Sequence, residues 1–200
     1  MRLLREYIRA LLTEAAMGPA DLPEDVHVTI QSGDITRIFY SNEKGNSTDS
    51  ISGRPLPIRG TVSIVPPGWG SSDAPCLGAW QVVQSQAPHG WGPLLYDVAM
   101  ETVGDAGLMA DRGSISSDAY SVWMTYASRG DVEKKQLDDE DDTLTPDKKD
   151  NCGADSALKH GWDEAESAES HLVDSPIMKV YTKGPTTIGE LESMGRLIRK

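Results

Sequence analysis

The run from residue 76 to residue 130 constrains the fold most, because strand, turn and helix patterns follow one another in it twice. Cys76 to Val83 is the most continuous apolar segment, which predicts a central strand. Gly90-Trp91-Gly92 then precedes an amphipathic helix from Pro93 to Val103, with proline at its favoured first position. A short strand over residues 107–110 and a second helix follow. Ser116 or Ser117 caps that helix and Gly130 ends it.

The flanking segments predict further β structure. Apolar residues alternate at Val26, Val28 and Ile30, and a second strand with Ile35, Ile38 and Phe39 follows a turn signal at residues 32–34. Apolar residues alternate again from Ile58 to Val65, and residues 172–183 resemble a last strand. We therefore expect an α+β domain over residues 20–184. Its core is a mixed, mainly antiparallel sheet of five to seven strands flanked by helices.

Three segments lie outside this pattern. The apolar period of residues 1–16 predicts a basic amphipathic helix that Met17-Gly18-Pro19 stops, and that of residues 185–200 predicts a C-terminal helix. Residues 131–170 carry fourteen Asp and Glu against five Lys, and so contribute −9 to the net charge of −12. This tract is poor in apolar residues, which predicts a long surface loop.

The composition excludes several classes of protein. No apolar run approaches the ~18 residues of a membrane span, and no secretory signal is evident. The net charge of −12 argues against nucleic acid as a partner. Two cysteines make no disulfide framework, so we expect a reducing compartment, an inert core thiol at Cys76 and an exposed, reactive thiol at Cys152.

No metal site is predicted. Neither Cys-x-x-Cys nor His-x₃-His spacing occurs in the chain. A calcium loop starting at Asp138 would need glycine at Thr143 and glutamate at Lys149, so the acidic run there reads as a solvated loop.

A glycine turn that leads from a strand into a helix is suited to binding phosphate, because turn amides and the positive end of the helix dipole act together. In this order of elements the chain resembles the GNAT family of acetyl-CoA-dependent N-acyltransferases. The resemblance implies that the strand before the turn splays from its neighbour and that the turn cradles the pyrophosphate of coenzyme A. The residues that it assigns to acetyl-CoA are Gln86, Gly90, Trp91, Gly92 and Leu94.

The same resemblance indicates catalytic residues. A family tyrosine near the end of the second helix protonates the leaving thiolate, and Tyr126 stands four residues before Gly130. If the position of the family tyrosine is counted from Ser116 instead, it falls on Trp123. Trp123 and Tyr126 could also both be aromatic residues of the hydrophobic core. Asp111 and Asp97 are the candidates for a general base. The acidic tract would then concentrate cationic amine substrates.

Two features depart from the family. The first position of its turn pattern falls on Ala87, with Gln86 one residue early, and no helices are evident between the first two strands.

A narrower resemblance is to uncharacterised GNAT-like phage proteins. It rests on Gly92-Pro93-Leu94-Leu95-Tyr96-Asp97, on Asp111-Arg112 and on Leu144-Thr145-Pro146 leading to Asn151-Cys152. Leu12-Thr13-Glu14-Ala15 is similar to the prohead-protease site of T4-like phages. It implies a capsid-targeting leader whose residues 1–15 meet the head scaffold or protease, and a location in the virion interior, the host cytoplasm or both.

Two alternatives to an acyltransferase with an amine or protein substrate remain at this point. One is a non-catalytic head-internal or host-takeover protein that keeps the fold and acts through its acidic tract. The other is an ADP-ribosyltransferase, for which the chain has no motif.

Overall fold

The computed structural model describes residues 16–47, 56–69, 75–138, 147–153 and 175–200. Residues 1–15, on which the leader prediction rests, and most of the acidic tract lie outside these ranges. Among the described residues, no helix combines the length and the apolar composition needed to cross a bilayer.

The architecture is α+β, as expected, with a mixed sheet and three α-helices in the described ranges. The strands are β1 (His27–Gln31), β2 (Thr36–Ser41), β3 (Thr61–Val65), β4 (Trp80–Gln86), β5 (Leu108–Met109), β6 (Glu133–Gln136), β7 (Lys179–Thr182) and β8 (Leu197–Arg199). The helices are α1 (Gly92–Val103), α2 (Ser117–Ser128) and α3 (Thr186–Ser193).

The strand order is β6-β7-β5-β4-β3-β2-β1-β8. The β1–β4 meander is antiparallel, as are the β5–β7 and β6–β7 pairs, while β4–β5 and β1–β8 are parallel. The sheet is therefore mainly antiparallel. The turn from β1 to β2 spans only residues 32–35, so no helix separates these two strands.

The predicted count of five to seven strands is wrong, because the sheet has eight. The two unexpected strands, β6 and β8, are its two edges. β6 has the sequence Glu-Lys-Lys-Gln and lies in the tract predicted as a loop. An edge strand is held by backbone hydrogen bonds on one side, so it needs no apolar alternation to form.

The C-terminal helix is also shorter than the predicted 185–200. α3 ends at Ser193, and Gly195 follows with φ +67°, a left-handed conformation that suits glycine after a helix. The chain then runs as β8 beside β1. Arg196 holds this return, since its guanidinium donates to the backbone carbonyls of Pro23 and Val26.

The core lies between the sheet and the helices. α1 packs across β2 to β5, and its side chains from Leu94 to Met100 are buried apart from Asp97, which is partly exposed. An aromatic cluster joins α1 and α2 to β7. Its members, all buried, are Tyr96, Trp123, Tyr126 and Tyr181.

Both cysteine predictions are wrong. Cys76 does not begin β4 but lies in a 3-10 turn, and a disulfide joins it to Cys152. Cys152 is fully buried rather than exposed. The backbone at Cys76 and Leu77 has φ of +44° and +55°, outside the usual range for side-chain-bearing residues. Because of this left-handed turn, strand β4 begins only at Trp80, and Cys76 faces the segment of residues 147–153.

Candidate functional site

The two central parallel strands, β4 and β5, share only a short ladder. Trp80 pairs with Leu108 and Gln81 with Met109, after which β5 ends. β4 continues to Gln86, paired with β3 alone. The carboxyl half of β4 therefore extends beyond the end of β5, and the chain turns into α1 at the end of that half.

The turn between β4 and α1 is tightly held. Gly90 has φ +81°, which favours glycine. The Trp91 amide donates to the Pro88 carbonyl (3.1 Å) and the Met17 amide donates to the Gly90 carbonyl (3.0 Å). The Tyr40 hydroxyl donates to the Trp91 carbonyl at 2.7 Å. The turn is thus fixed to both the sheet and the residues before β1.

Helix α1 begins at Gly92, with Trp91 as its N-cap. The first amides of any helix have no partner within it, and here they belong to Gly92 and Leu94, since Pro93 has no N–H. The Trp91 amide is already bonded within the turn. Leu94 is buried (1% exposed), so of these two donors only the Gly92 amide, on a partly exposed residue, lies with the positive end of the helix dipole at the accessible helix start.

Tyr126 is fully buried on α2. Its hydroxyl donates to the Asp97 carboxylate (2.6 Å) and lies 2.9 Å from the Pro93 carbonyl oxygen. Burial, followed by the negative charge of Asp97, raises the pKa of the Tyr126 phenol well above its ordinary value. The phenol stays protonated and connects α2 to the first turn of α1.

Asp97 belongs to an ionic network rather than to an open site. Arg129 donates to both of its oxygens, at 2.7 and 3.0 Å, and also binds Asp131. The Arg129 hydrogen bond lowers the pKa of Asp131 to about 2. The Lys183 ammonium lies 3.9 Å from Asp97 and forms an ion pair with Glu101.

Asp111 follows β5, and one of its carboxylate oxygens accepts hydrogen bonds from the Gly113 amide (2.7 Å) and the Ser114 amide (3.1 Å). This is the geometry of an Asx turn. The adjacent Arg112 does not share that role. It is buried and donates to the backbone carbonyls of Cys152, Gly153 and Ile177.

A cleft of about 750 Å³ opens beside the end of β4. Gln86 is exposed in it, and Ala87 and Pro88 continue its wall into the Gly90 turn. A second space lies next to the disulfide and is lined by Gln81, Met109 and Arg112. It measures about 20 Å³, room for about one water molecule.

The structure thus places Gln86, Gly90, Trp91, Gly92 and Leu94 on one continuous segment, with Leu94 buried in the core. Tyr126 reaches the same helix start from the other side through Pro93. Asp111 lies apart, at the end of β5.

Sequence reasoning missed Tyr40, Arg37 and Arg59. No local motif marks them. Arg37 pairs with Ser63 in the register of β2 against β3, the Tyr40 amide donates to the Gly60 carbonyl (3.1 Å), and Arg59 precedes that glycine, so pairing between distant segments places all three at the cleft. Comparison with family models, with curated proteins and with solved structures finds no match to this chain.

Proposed function

We propose that the chain is a phage-encoded, GNAT-like N-acyltransferase that moves an acyl group from coenzyme A to an amine. The observation that carries the proposal is that β4 continues to Gln86 after its pairing with β5 ends at Gln81, and that the Gly90 turn and the start of α1 follow. In the family that this arrangement resembles, the pantetheine and pyrophosphate of the cofactor bind at such a place.

The chemistry of the turn supports an anionic ligand. The Gly92 amide lies in the first turn of α1 at the positive end of the helix dipole, and Gly90 lets the backbone approach a phosphate without a side chain in the way. The cleft beside Gln86 gives the acceptor amine a way in.

The decisive experiment compares two variants at one position. Gly92→Asp adds a carboxylate at the start of α1, where it repels phosphate, and Gly92→Asn adds the same volume without charge. A Cβ at Gly92 would lie 3.9 Å from the Ala87 Cβ, an ordinary contact, so both variants are expected to fold.

Coenzyme A and acetyl-CoA are titrated into the wild type and both variants by calorimetry, with NAD as the control nucleotide. We expect coenzyme-A-specific binding that Gly92→Asp weakens at least tenfold and Gly92→Asn leaves nearly unchanged. Absence of binding at near-millimolar coenzyme A overturns the proposal. Thiol release from acetyl-CoA in a panel of amines then tests transfer.

A second candidate function is a non-catalytic protein that keeps this fold. Tyr126 favours it, because its hydroxyl is buried and already bonded to Asp97. The space of about 20 Å³ at Gln81 and Met109 is also too small for an acyl chain. This candidate predicts no coenzyme A binding and a protein partner that is lost when residues 136–150 are deleted.

The phage assignment rests on the sequence alone, through Leu12-Thr13-Glu14-Ala15 and the motifs around Gly92 and Asp111. Co-expression with a T4-like prohead protease tests it. Cleavage after Glu14 supports a virion location, and an uncut chain with this site intact argues against the leader.

A further inference from the structure

The cleft at the end of β4 lies on one face of the β1–β4 meander. In the antiparallel register Gln31 stands opposite Arg37, Phe39 opposite Thr61, and Thr61 opposite Gln86. Directly opposed side chains lie on the same face of a sheet. These residues therefore form two adjacent rows across the strands, and all five line the cleft.

The charge of the cleft differs from that of the chain. Among the described residues that line it, the charged ones are Arg37 and Arg59, and both are exposed. The whole chain has 31 acidic and 19 basic residues. A concave surface with charge of one sign concentrates ligands of the opposite sign.

The two cations are arginines, whose planar guanidinium forks match the oxygens of a carboxylate or phosphate. Phe39 gives the cleft a half-buried apolar wall, and Gln31 and Gln86 add amide groups that donate and accept hydrogen bonds. The cleft is thus suited to a small organic anion with an apolar portion.

The position of the cleft connects it with the turn. Gln86, Ala87 and Pro88 form its end wall, and the Pro88 carbonyl accepts the hydrogen bond from the Trp91 amide. A Cβ at Gly60 would lie 3.1 Å from the Ala87 Cβ and the Tyr40 ring, so this glycine keeps the wall closely packed. The cleft therefore reaches the residues that lead into the turn, and its two rows lie on the face of the meander opposite to the face that packs on α1.

We propose that the cleft is the acceptor site and that the acceptor is an amine which also carries a carboxylate or phosphate, bound by Arg37 and Arg59. This rests on the proposed acyltransferase function. The amine nitrogen forms a bond to the acyl carbon, the carbon–sulfur bond breaks, and the surplus amine proton goes to the departing thiolate. This acceptor carries an anionic group, whereas the acidic tract led us to expect a cationic amine.

The first test measures anion binding without coenzyme A, so that it is independent of the proposed function. Citrate is titrated by calorimetry into the wild type, Arg37→Gln, Arg59→Gln and the double variant. Lys135→Gln, which removes an exposed cation on β6 at the far edge of the sheet, is the matched control. We expect the double variant to weaken citrate binding at least tenfold and Lys135→Gln to leave it unchanged.

The second test compares two acceptors with the same amine, glycyl-glutamate and glycyl-glutamine amide. We expect kcat/KM for the anionic dipeptide to exceed that for the neutral one at least tenfold, and the double arginine variant to abolish the difference while binding coenzyme A normally. Equal citrate binding by wild type and double variant, or no preference between dipeptides, overturns the acceptor inference. If the protein binds citrate but not coenzyme A, the proposed acyltransferase function is wrong and the cleft is an anion-binding site.

Discussion

The Tyr126 hydroxyl donates a 2.6 Å hydrogen bond to the Asp97 carboxylate, and this bond joins helix α2 to helix α1. Arg129, one residue after α2, holds the same carboxylate with two further hydrogen bonds. The guanidinium carbon also lies 4.9 Å from the centre of the Tyr126 ring. Both residues therefore stabilise the helix pair, whether or not the phenol also meets a ligand.

The first prediction concerns that pair. Tyr126→Phe removes a buried hydrogen bond to a charged group, and we expect unfolding to become easier by about 1.5–3 kcal/mol. Asp97→Asn weakens the same bond and leaves Arg129 with Asp131 as its remaining charge partner. Denaturant unfolding of the two single variants and the double variant gives the coupling energy. Strictly additive losses would show that the hydroxyl and the carboxylate do not interact.

The burial of tyrosines gives a pH dependence. Burial raises the pKa of Tyr40, Tyr96, Tyr126 and Tyr181 above the ordinary value. Unfolded phenols lose their protons near pH 10, so the unfolded state binds fewer protons above that pH and stability falls as pH rises. The stabilisation is fully present below about pH 10.

We expect each of these tyrosines to lower the unfolding free energy by about 1.4 kcal/mol per pH unit above pH 10. Unfolding in urea at pH 8, 10 and 11, followed by phenolate absorbance, measures this. Tyr126→Phe should give a shallower slope than the wild type. Phenolate absorbance from these four residues in the folded protein near pH 10 would contradict the burial described above.

The elements that sequence reasoning found are those with signals inside their own segment. Helix α2 was predicted with Ser116 or Ser117 as its cap, and the cap is Ser116, whose hydroxyl accepts from the Ala119 amide. Helix α1 was predicted to within one residue of its observed start at Gly92. Both have an apolar face and a stop signal, which are local properties.

What sequence reasoning missed depends on distant pairing. The edge strands β6 and β8 form through backbone bonds to partners elsewhere in the chain. Cys76 and Cys152 are 76 residues apart, and nothing near either one indicates the other. The arginines of the cleft likewise come together through the pairing of β2 with β3 and of Tyr40 with Gly60.

A buried ion pair supplies the third prediction. Glu101 has a fully buried side chain, and Lys183 donates to it, as do the amides of Thr187 (2.8 Å) and Ile188 (2.7 Å) at the start of α3. Burial alone raises the pKa of Glu101, but the bonds from Lys183 and these amides outweigh it, so the pKa is lowered. The ionised carboxylate therefore stabilises the folded protein at pH values above the ordinary pKa of glutamate. This stabilisation is lost as the pH falls through the lower pKa that Glu101 has in the folded protein.

Lys183→Met leaves the Glu101 carboxylate buried without its cation, and we expect a loss of about 3–5 kcal/mol. Glu101→Gln combined with Lys183→Met removes both charges and should be less destabilising than Lys183→Met alone. Chemical denaturation of Lys183→Met, Glu101→Gln and the double variant at pH 7 measures this. If the double variant loses as much unfolding free energy as the two single variants together, Glu101 and Lys183 do not stabilise each other.

The disulfide gives the fourth prediction. Because Cys152 is fully buried and Cys76 nearly so, a mild reductant should act slowly on the folded protein, and thiol titration without denaturant should find almost no free thiol. The bond closes a loop of 76 residues, and such a constraint contributes about 4 kcal/mol in the loop-entropy model. We expect melting with a strong reductant to occur at a clearly lower temperature. The double variant Cys76→Ala and Cys152→Ala should melt at a similarly low temperature with or without reductant.

The last prediction separates backbone strain from steric overlap at two glycines that flank the turn before β5. Gly104 and Gly107 have φ of +57° and +75°, so alanine is strained at both positions. A Cβ at Gly104 meets no atom within 4 Å, whereas a Cβ at Gly107 would lie 2.2 Å from Cγ1 of Val180 on β7. Gly104→Ala should therefore cost about 1–2 kcal/mol, and Gly107→Ala that amount plus a further ~1–3 kcal/mol of overpacking. Equal losses in paired urea titrations would mean that β5 and β7 do not approach as closely as the β5–β7 pairing requires.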